Sequence, residues 1–253
     1  MDGQRQHGIG WLYLLSIVGG LLVWQLIASR YSALVLSPPT AVAHSLFVNT
    51  NSLLLPILLL RSTEHALLGY ALALAVAIPL GFLMGRNEKA FLMLDPVVSA
   101  IYAIPTIAFV PFIVIWFGLF FPARTALVFV MCVFDILVTV TAGARNVDRN
   151  LIDVGRSFGA TRWCLFSKVL LPASLPFLFT ALRIGLVRAV IAMITAELFL
   201  AAMNLGAFMQ AAANRFDSAG LLAVLTILSV LGLVAQEGLK AAEARLLPWH
   251  VRQ

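Results

Sequence analysis

Long uncharged runs separated by short polar breaks make up most of this 253-residue chain. The first, Gln6 to Ser29, is a transmembrane helix by length: at ~1.5 Å per residue it crosses a hydrocarbon core of ~30 Å. A cleaved signal peptide would have a shorter apolar core, about 7–15 residues. Tyr31 to Leu60 also lacks formal charge, but Ser37-Pro38-Pro39-Thr40, His44 and Asn49-Thr50-Asn51-Ser52 interrupt it. That segment reads as an external loop with a short helix starting near Thr40, not as a seventh span. A second span covers about Thr63 to Gly85, where Gly69, Ala73, Ala77, Gly81 and Gly85 fall four apart and form a small-residue ridge for close packing within the subunit. A third, about Phe91 to Leu119, contains Pro96, Pro105 and Pro111. Prolines free backbone carbonyls, which membranes tolerate where protein or a water-lined cavity re-satisfies them, so this span is the best candidate to line a pathway. The fourth runs from about Thr125 to Gly143, the fifth from Ala173 to Met203 and the sixth from Ser218 to Glu237. The expected class is therefore all-α, a polytopic membrane protein with six transmembrane helices. Its parts are a tail, first helix and external loop (1–63), a membrane core (64–240) and a C-terminal tail (241–253).

Between the fourth and fifth spans lies Arg149 to Pro172, a segment both basic and regularly patterned. Leu151, Val154 and Phe158 recur at helical spacing, as do Trp163, Phe166, Val169 and Leu170. Gly159 can take the positive φ that ends one helix sharply, Thr161 can cap the next, and Pro172 stops it. The pattern predicts two short amphipathic helices joined by a bend, with Arg149, Arg156, Arg162 and Lys168 on their polar sides. Such a hairpin has an apolar stripe and no core of its own, so it is a docking element. A basic hairpin lying on anionic lipid would account for its charge but not for the spacing from Gly159 to Pro172.

Composition agrees with the pattern. With 62% hydrophobic and 11% charged residues, the chain has too few charges to cover a water-facing surface. The net charge of +6 does not point to nucleic acid, because the basic residues form no face interleaved with aromatics. Their distribution follows topology instead. Arg5, Arg86, Lys89, Arg145, Arg149, Arg156, Arg162, Lys168, Lys240, Arg245 and Arg252 fall on one side of a six-span arrangement, against Arg30, Arg61, Arg124 and Arg215 on the other. That bias puts both termini and the hairpin in the cytoplasm. Cys132 and Cys164 fall in a span and in the hairpin, and His7, His44, His65 and His250 are scattered, so neither a disulfide nor a metal site is indicated. No lysine follows a glycine, which excludes a P-loop, and there is no G-x-S-x-G elbow. A stand-alone secondary transporter should carry inverted repeats with broken helices in matched halves, and none is visible. A membrane-bound enzyme lacks any catalytic constellation.

The spacing Asp153-Val154-Gly155, three residues, Gly159, nine residues, Val169-Leu170-Leu171-Pro172 resembles the EAA loop of ABC importer permeases, with aspartate standing for the glutamate of that pattern. Ile78-Pro79-Leu80-Gly81, Leu94-Asp95-Pro96, Ile104-Pro105, Pro111, Trp116-Phe117-Gly118, Leu182-Arg183, Ala196-Glu197 and Leu205-Gly206 are similar to positions of the sulfonate, taurine and nitrate branch. The resemblance implies a type I importer fold in a bacterial inner membrane and a permease dimer, whose second subunit is either the same chain or a different permease. It also implies two cytoplasmic ATPase subunits that carry the ATP and Mg, an extracytoplasmic solute-binding protein, and no cofactor on this chain. The ATPase-docking residues would be Asp153, Gly155, Arg156, Phe158, Gly159, Ala160, Thr161, Trp163, Phe166, Leu171 and Pro172. Candidate pathway or gate residues are Pro105, Pro111, Asp135, Arg188 and Glu197. Asp135 and Arg188 lie at similar depth in the fourth and fifth spans, either as a neutralising ion pair or as a charge filter on the pathway. Glu197, near the outer end of its span, is expected to hold the gate region through hydrogen bonds.

Overall fold

The structure, a computed structural model, describes residues 3–32, 34–200 and 203–247. The side chains of Arg5 and Arg149, and Trp249 and Arg252 of the tail, lie outside the described residues. Every described element is helical. In order they are α1 (Gly3–Ala28), α2 (Pro39–Asn51), α3 (Leu54–Arg86), α4 (Glu88–Tyr102), a 3-10 turn (Thr106–Phe109), α5 (Val110–Phe117), α6 (Phe121–Arg145), α7 (Arg149–Ser157), α8 (Arg162–Leu165), a π turn (Phe166–Leu170), α9 (Leu171–Phe199), α10 (Asn204–Asn214) and α11 (Ser218–Leu246). Among the described residues, four helices are long and apolar enough to cross a membrane: α3, α6, the run Arg162–Phe199, and α11. The pair Glu88–Tyr102 and Thr106–Phe117 passes the same test together, and Leu14–Ala28 of α1 is a shorter apolar helix.

The chain forms two compact units: Met1–Leu59 with Asn204–Ser229, and Leu60–Met203 with Val230–Gln253. In the first unit, Ser37 and Ser218 share a 2.6 Å hydrogen bond between hydroxyls. Asp217 starts α11 by accepting from the Gly220 amide at 2.9 Å. Helix α2 matches the short helix expected near Thr40, with Pro39 in its first turn, where a missing N–H costs nothing.

The second unit is built around α6. Just over half of its most apolar window is buried (56%), against 33% for α3, because it packs between α3 and α9. The ridge on α3 faces α6. A methyl added at Gly69 would sit 2.7 Å from the Thr125 carbonyl oxygen, one at Gly81 2.8 Å from Val140 Cβ, and one at Gly85 2.5 Å from Ala144 Cβ. Ala73 and Ala77 between them are fully buried. Close approach lets dispersion contacts act along the whole ridge, the main force available between helices in lipid. On the other side, a methyl at Gly143 would lie 2.3 Å from Phe177 Cβ of α9. Tyr70 closes the triangle by donating to the Leu182 carbonyl at 2.8 Å.

Several expectations need correction. The segment expected as the third span is not one continuous helix: the chain turns by 89° between α4 and the segment Thr106–Phe117. A proline disfavours the helical region for the residue before it, and Pro105 itself adopts ψ 119°, so the turn at 103–105 cannot propagate the helix. Pro111 then sits in the first turn of α5, starting a helix instead of bending one. Pro172 does not stop its helix either. The Leu171 amide reaches back five residues to the Phe166 carbonyl, a wide π turn that makes room for a proline ring which would otherwise strike the carbonyl four residues earlier. The hairpin's second helix is therefore the opening of the fifth span. The second span begins at Leu54, nine residues before Thr63, and the sixth continues past Glu237 to Leu246. Helix α10 was not expected.

Candidate functional site: the hairpin and the buried charges

The hairpin is assembled by local chemistry. Asp148 caps α7, its carboxylate accepting from the Asn150 amide at 2.9 Å. After Ser157 the helix ends in a Schellman arrangement. Gly159 has φ +74°, its amide donates to the Arg156 carbonyl at 2.8 Å, and the Ala160 amide donates to the Gly155 carbonyl at 3.1 Å. Thr161 caps the next helix, accepting from the Cys164 amide at 3.3 Å. Thr161→Ala is expected to cost about 1 kcal/mol, read as a lower midpoint for loss of hairpin protection in hydrogen exchange. Two caps and one left-handed glycine thus set the angle between α7 and α8.

The hairpin divides into an anchored side and an open side. Ile152 is buried in the core of the second unit, and Phe166 stacks edge-on against Phe82 of α3 at 5.5 Å between centroids. Leu171 packs on the same core, and a methyl at Gly155 would meet Leu165 Cδ2 at 2.6 Å. Leu151, Val154, Phe158 and Trp163 remain exposed, Phe158 at 87% and Trp163 at 75%. Asp153, Gly159 and Thr161 are exposed, Ala160 is half-buried and Pro172 is half-buried at the start of α9. Asp153 pairs with Arg156 at 3.5 Å, both side chains two-thirds exposed, a contact worth little in water. Of the proposed docking residues, Phe166 and Leu171 therefore face inward. Sequence reasoning missed Ile152, since the stripe Leu151–Val154–Phe158 has the stronger helical spacing. It also missed Asp148, although an aspartate directly before a helix is a capping signal.

Within the spans, Arg188 Nε lies 2.6 Å from Asp135 Oδ2, and Tyr102 donates its hydroxyl to Asp135 Oδ1 at 2.7 Å. Both carboxylate oxygens are engaged. The Asp135 side chain is buried, whereas that of Arg188 is 46% exposed. Tyr102 carried no sequence signal, because it is the last residue of α4 and its partner on α6 lies 33 positions away. Farther along the unit, Glu197 is fully buried and accepts from Ser62 at 2.7 Å, joining α9 to the early part of α3. Pro105 and Pro111 do not join the Asp135 group as side chains; Pro105 lies in the break that follows Tyr102, and Pro111 starts α5. No group of three or more His, Cys, Asp or Glu residues able to hold a metal occurs among the described residues. Cys132 and Cys164 are both free.

The model of the binding-protein-dependent transport system inner membrane component family matches residues 77–247, which include the hairpin, the Asp135–Arg188 pair and the α6–α9 packing. The chain belongs to that family. A probable ABC transporter permease protein of Brucella abortus (strain 2308) is 32% identical over 248 residues, 98% of each chain. The taurine transport system permease protein TauC of Escherichia coli (strain K12) is 30% identical over 192 residues, 76% of this chain and 70% of that one. An inward-facing structure of the MetNI methionine ABC transporter overlays with a TM-score of 0.67 at 22% identity, covering 75% of this chain and 96% of the other. The permease thus has the type I importer fold in its membrane core and is a multi-pass transport component.

Proposed function

We propose that this chain is the transmembrane subunit of an ATP-driven importer in which the hairpin 149–172 docks on a separate cytoplasmic ATPase. The observation that carries this reading is the open side of the hairpin. Four apolar side chains stand exposed on a segment locked to the helical core through Ile152 and Phe166. A patch of this kind, outside the apolar spans, marks a protein interface, and its rigid backing lets a force applied there reach α6 and α9. Two copies of the permease would enclose the pathway, each docked on one ATPase. The ATPases would hold ATP and Mg, and a binding protein would deliver the solute on the opposite face. The six spans are α1, α3, the broken α4–α5 pair, α6, α8–α9 and α11. Helix α1 contributes 26 residues, enough for about 39 Å. Both termini and the hairpin then lie in the cytoplasm, as the basic-residue bias requires.

The solute is a small sulfonate, taurine, nitrate or a related compound, the class to which the named relatives point. Arg188 supports an anionic or zwitterionic group, because its side chain is 46% exposed although its Nε contacts Asp135. In uptake assays with the matched binding protein, Arg188→Gln and Asp135→Asn should change the preference between taurine and uncharged analogues. Unchanged preference in both variants removes these residues from selection.

Cross-linking tests the docking itself. Phe158→Cys and Trp163→Cys, in a chain lacking Cys132 and Cys164, should each form a nucleotide-sensitive cross-link to the ATPase subunit. Absence of cross-links together with gradient-driven flux by the isolated chain would overturn the reading in favour of a stand-alone transporter.

A further inference from the structure

Two cavities lie between the hairpin and the ends of α3 and α6, lined in part by the hairpin's own Asp153 and Arg156. One, of about 460 Å³, is a polar chamber between the last turns of α3 and α6 and the start of α7, with Arg86, Glu88, Arg145, Asp153 and Arg156 on its walls. The other, of about 760 Å³, is an apolar groove floored by Ile78, Phe82, Leu83, Leu165 and Leu171. They share Arg86, Ile152 and Arg156 as lining, so a polar and an oily space adjoin at these three residues. The acids of the chamber are engaged: Glu88 with Arg145 at 3.3 Å, Asp153 with Arg156 at 3.5 Å. Arg145 also sits over the Phe91 ring, 3.9 Å from its centroid. The groove is rimmed by Arg86, Arg156 and Arg162 with no acidic residue among its lining.

We infer that this composite space is a binding site for one anionic phospholipid of the cytoplasmic leaflet, its phosphate on Arg86, Arg156 and Arg162 and an acyl chain along Ile78, Phe82 and Leu83. The site rests on the cytoplasmic placement of the hairpin proposed above. Three observations select an amphiphile over a soluble anion. The oily half is the larger, and a soluble phosphate would leave it filled with water against leucine and phenylalanine. Helix α3 ends at Arg86, so the boundary between the two halves coincides with the end of an apolar span, where headgroups meet chains. Basic pockets between helices on the cytoplasmic side are where anionic headgroups are held. The lipid would fill the gap between α3 and the hairpin, stiffening the joint through which the hairpin moves the core.

The purified permease–ATPase complex, released in mild detergent from phosphatidylglycerol–phosphatidylethanolamine membranes, should retain phosphatidylglycerol by native mass spectrometry. The double variant Arg86→Gln, Arg162→Gln should weaken retention by about fivefold per lost charge. Leu83→Trp should expel the lipid with every charge in place, by filling the groove. Reconstituted transport should be slower in phosphatidylethanolamine alone, and both variants should lose the stimulation by phosphatidylglycerol. Retention unaffected by both variants overturns the proposal, as does displacement by inorganic phosphate with Leu83→Trp indifferent, which would reveal a simple anion site. Thiol labelling of Asp153→Cys, in a chain lacking Cys132 and Cys164, in vesicles of opposite sidedness separates the two levels. A cytoplasmic hairpin without retained lipid defeats this inference alone, and an external hairpin defeats it together with the functional reading.

Discussion

Gly159→Pro is expected to abolish solute-stimulated ATP hydrolysis by the assembled transporter, by at least an order of magnitude, while membrane insertion and yield stay at the wild-type level. Gly159 sits at φ +74°, and proline is confined near −65°. The same change deletes the amide that donates to the Arg156 carbonyl, and the displaced backbone cannot keep the Ala160 bond to Gly155. Both bonds that close α7 are lost, and with them the angle that presents Phe158 and Trp163 on one side. Insertion survives because the spans and the core around α6 do not involve this turn. Gly159→Ala grades the effect. No atom lies within 4 Å of the added methyl, so only the left-handed backbone is penalised, by about 1–2 kcal/mol. Partial coupling is the expected result, measured as ATPase stimulation by loaded binding protein in proteoliposomes. A proline variant that hydrolyses ATP and transports normally would remove the hairpin from the mechanism.

The second large effect is on stability. Gly143→Val should lower the thermal midpoint of the purified permease by several degrees and reduce its yield. The first added carbon would lie 2.3 Å from Phe177 Cβ, and that contact is with the root of a side chain, so rotation of the ring cannot relieve it. Helix α6 cannot retreat, because Gly69, Gly81 and Gly85 of α3 hold its other face at similar range. Overpacking of a filled core costs typically ~1–3 kcal/mol, and here two helix backbones must separate as well. Gly232→Ala is the matched control: the new methyl meets nothing within 4 Å, and alanine favours helix over glycine by about 1 kcal/mol. It should be neutral or slightly stabilising. Equal midpoints for Gly143→Val and the wild type, followed by fluorescence or scanning calorimetry in detergent, would refute the close α6–α9 approach.

The hairpin was readable because its signals are local. A glycine that must take positive φ, a threonine cap and an apolar stripe act within four residues of one another, and the i to i+4 ridge on α3 is likewise a periodicity within one helix. Asp148, although local, lay in a segment whose capping role was overshadowed by the stripe beside it. Ile152 was not readable, since whether Leu151 or Ile152 faces inward depends on where α3 and α6 stand. The prolines misled in both directions. Pro105 broke its helix outright, whereas Pro172 was absorbed by a π turn, and the difference lies in how the neighbouring carbonyls are spaced, not in the proline.

Hydrophobicity, spacing and the positions of charge were enough to determine an all-helical membrane protein with a bent amphipathic hairpin, because lipid demands satisfied backbones and permits few solutions. Tertiary structure alone decided that Asp135 meets both Arg188 and Tyr102, that Phe166 turns inward while Phe158 and Trp163 stay out, and that an arginine-rimmed groove lies behind the hairpin. These are contacts between residues 33 to 84 positions apart, or choices of face made by a neighbouring helix. No pattern within a single helix encodes them.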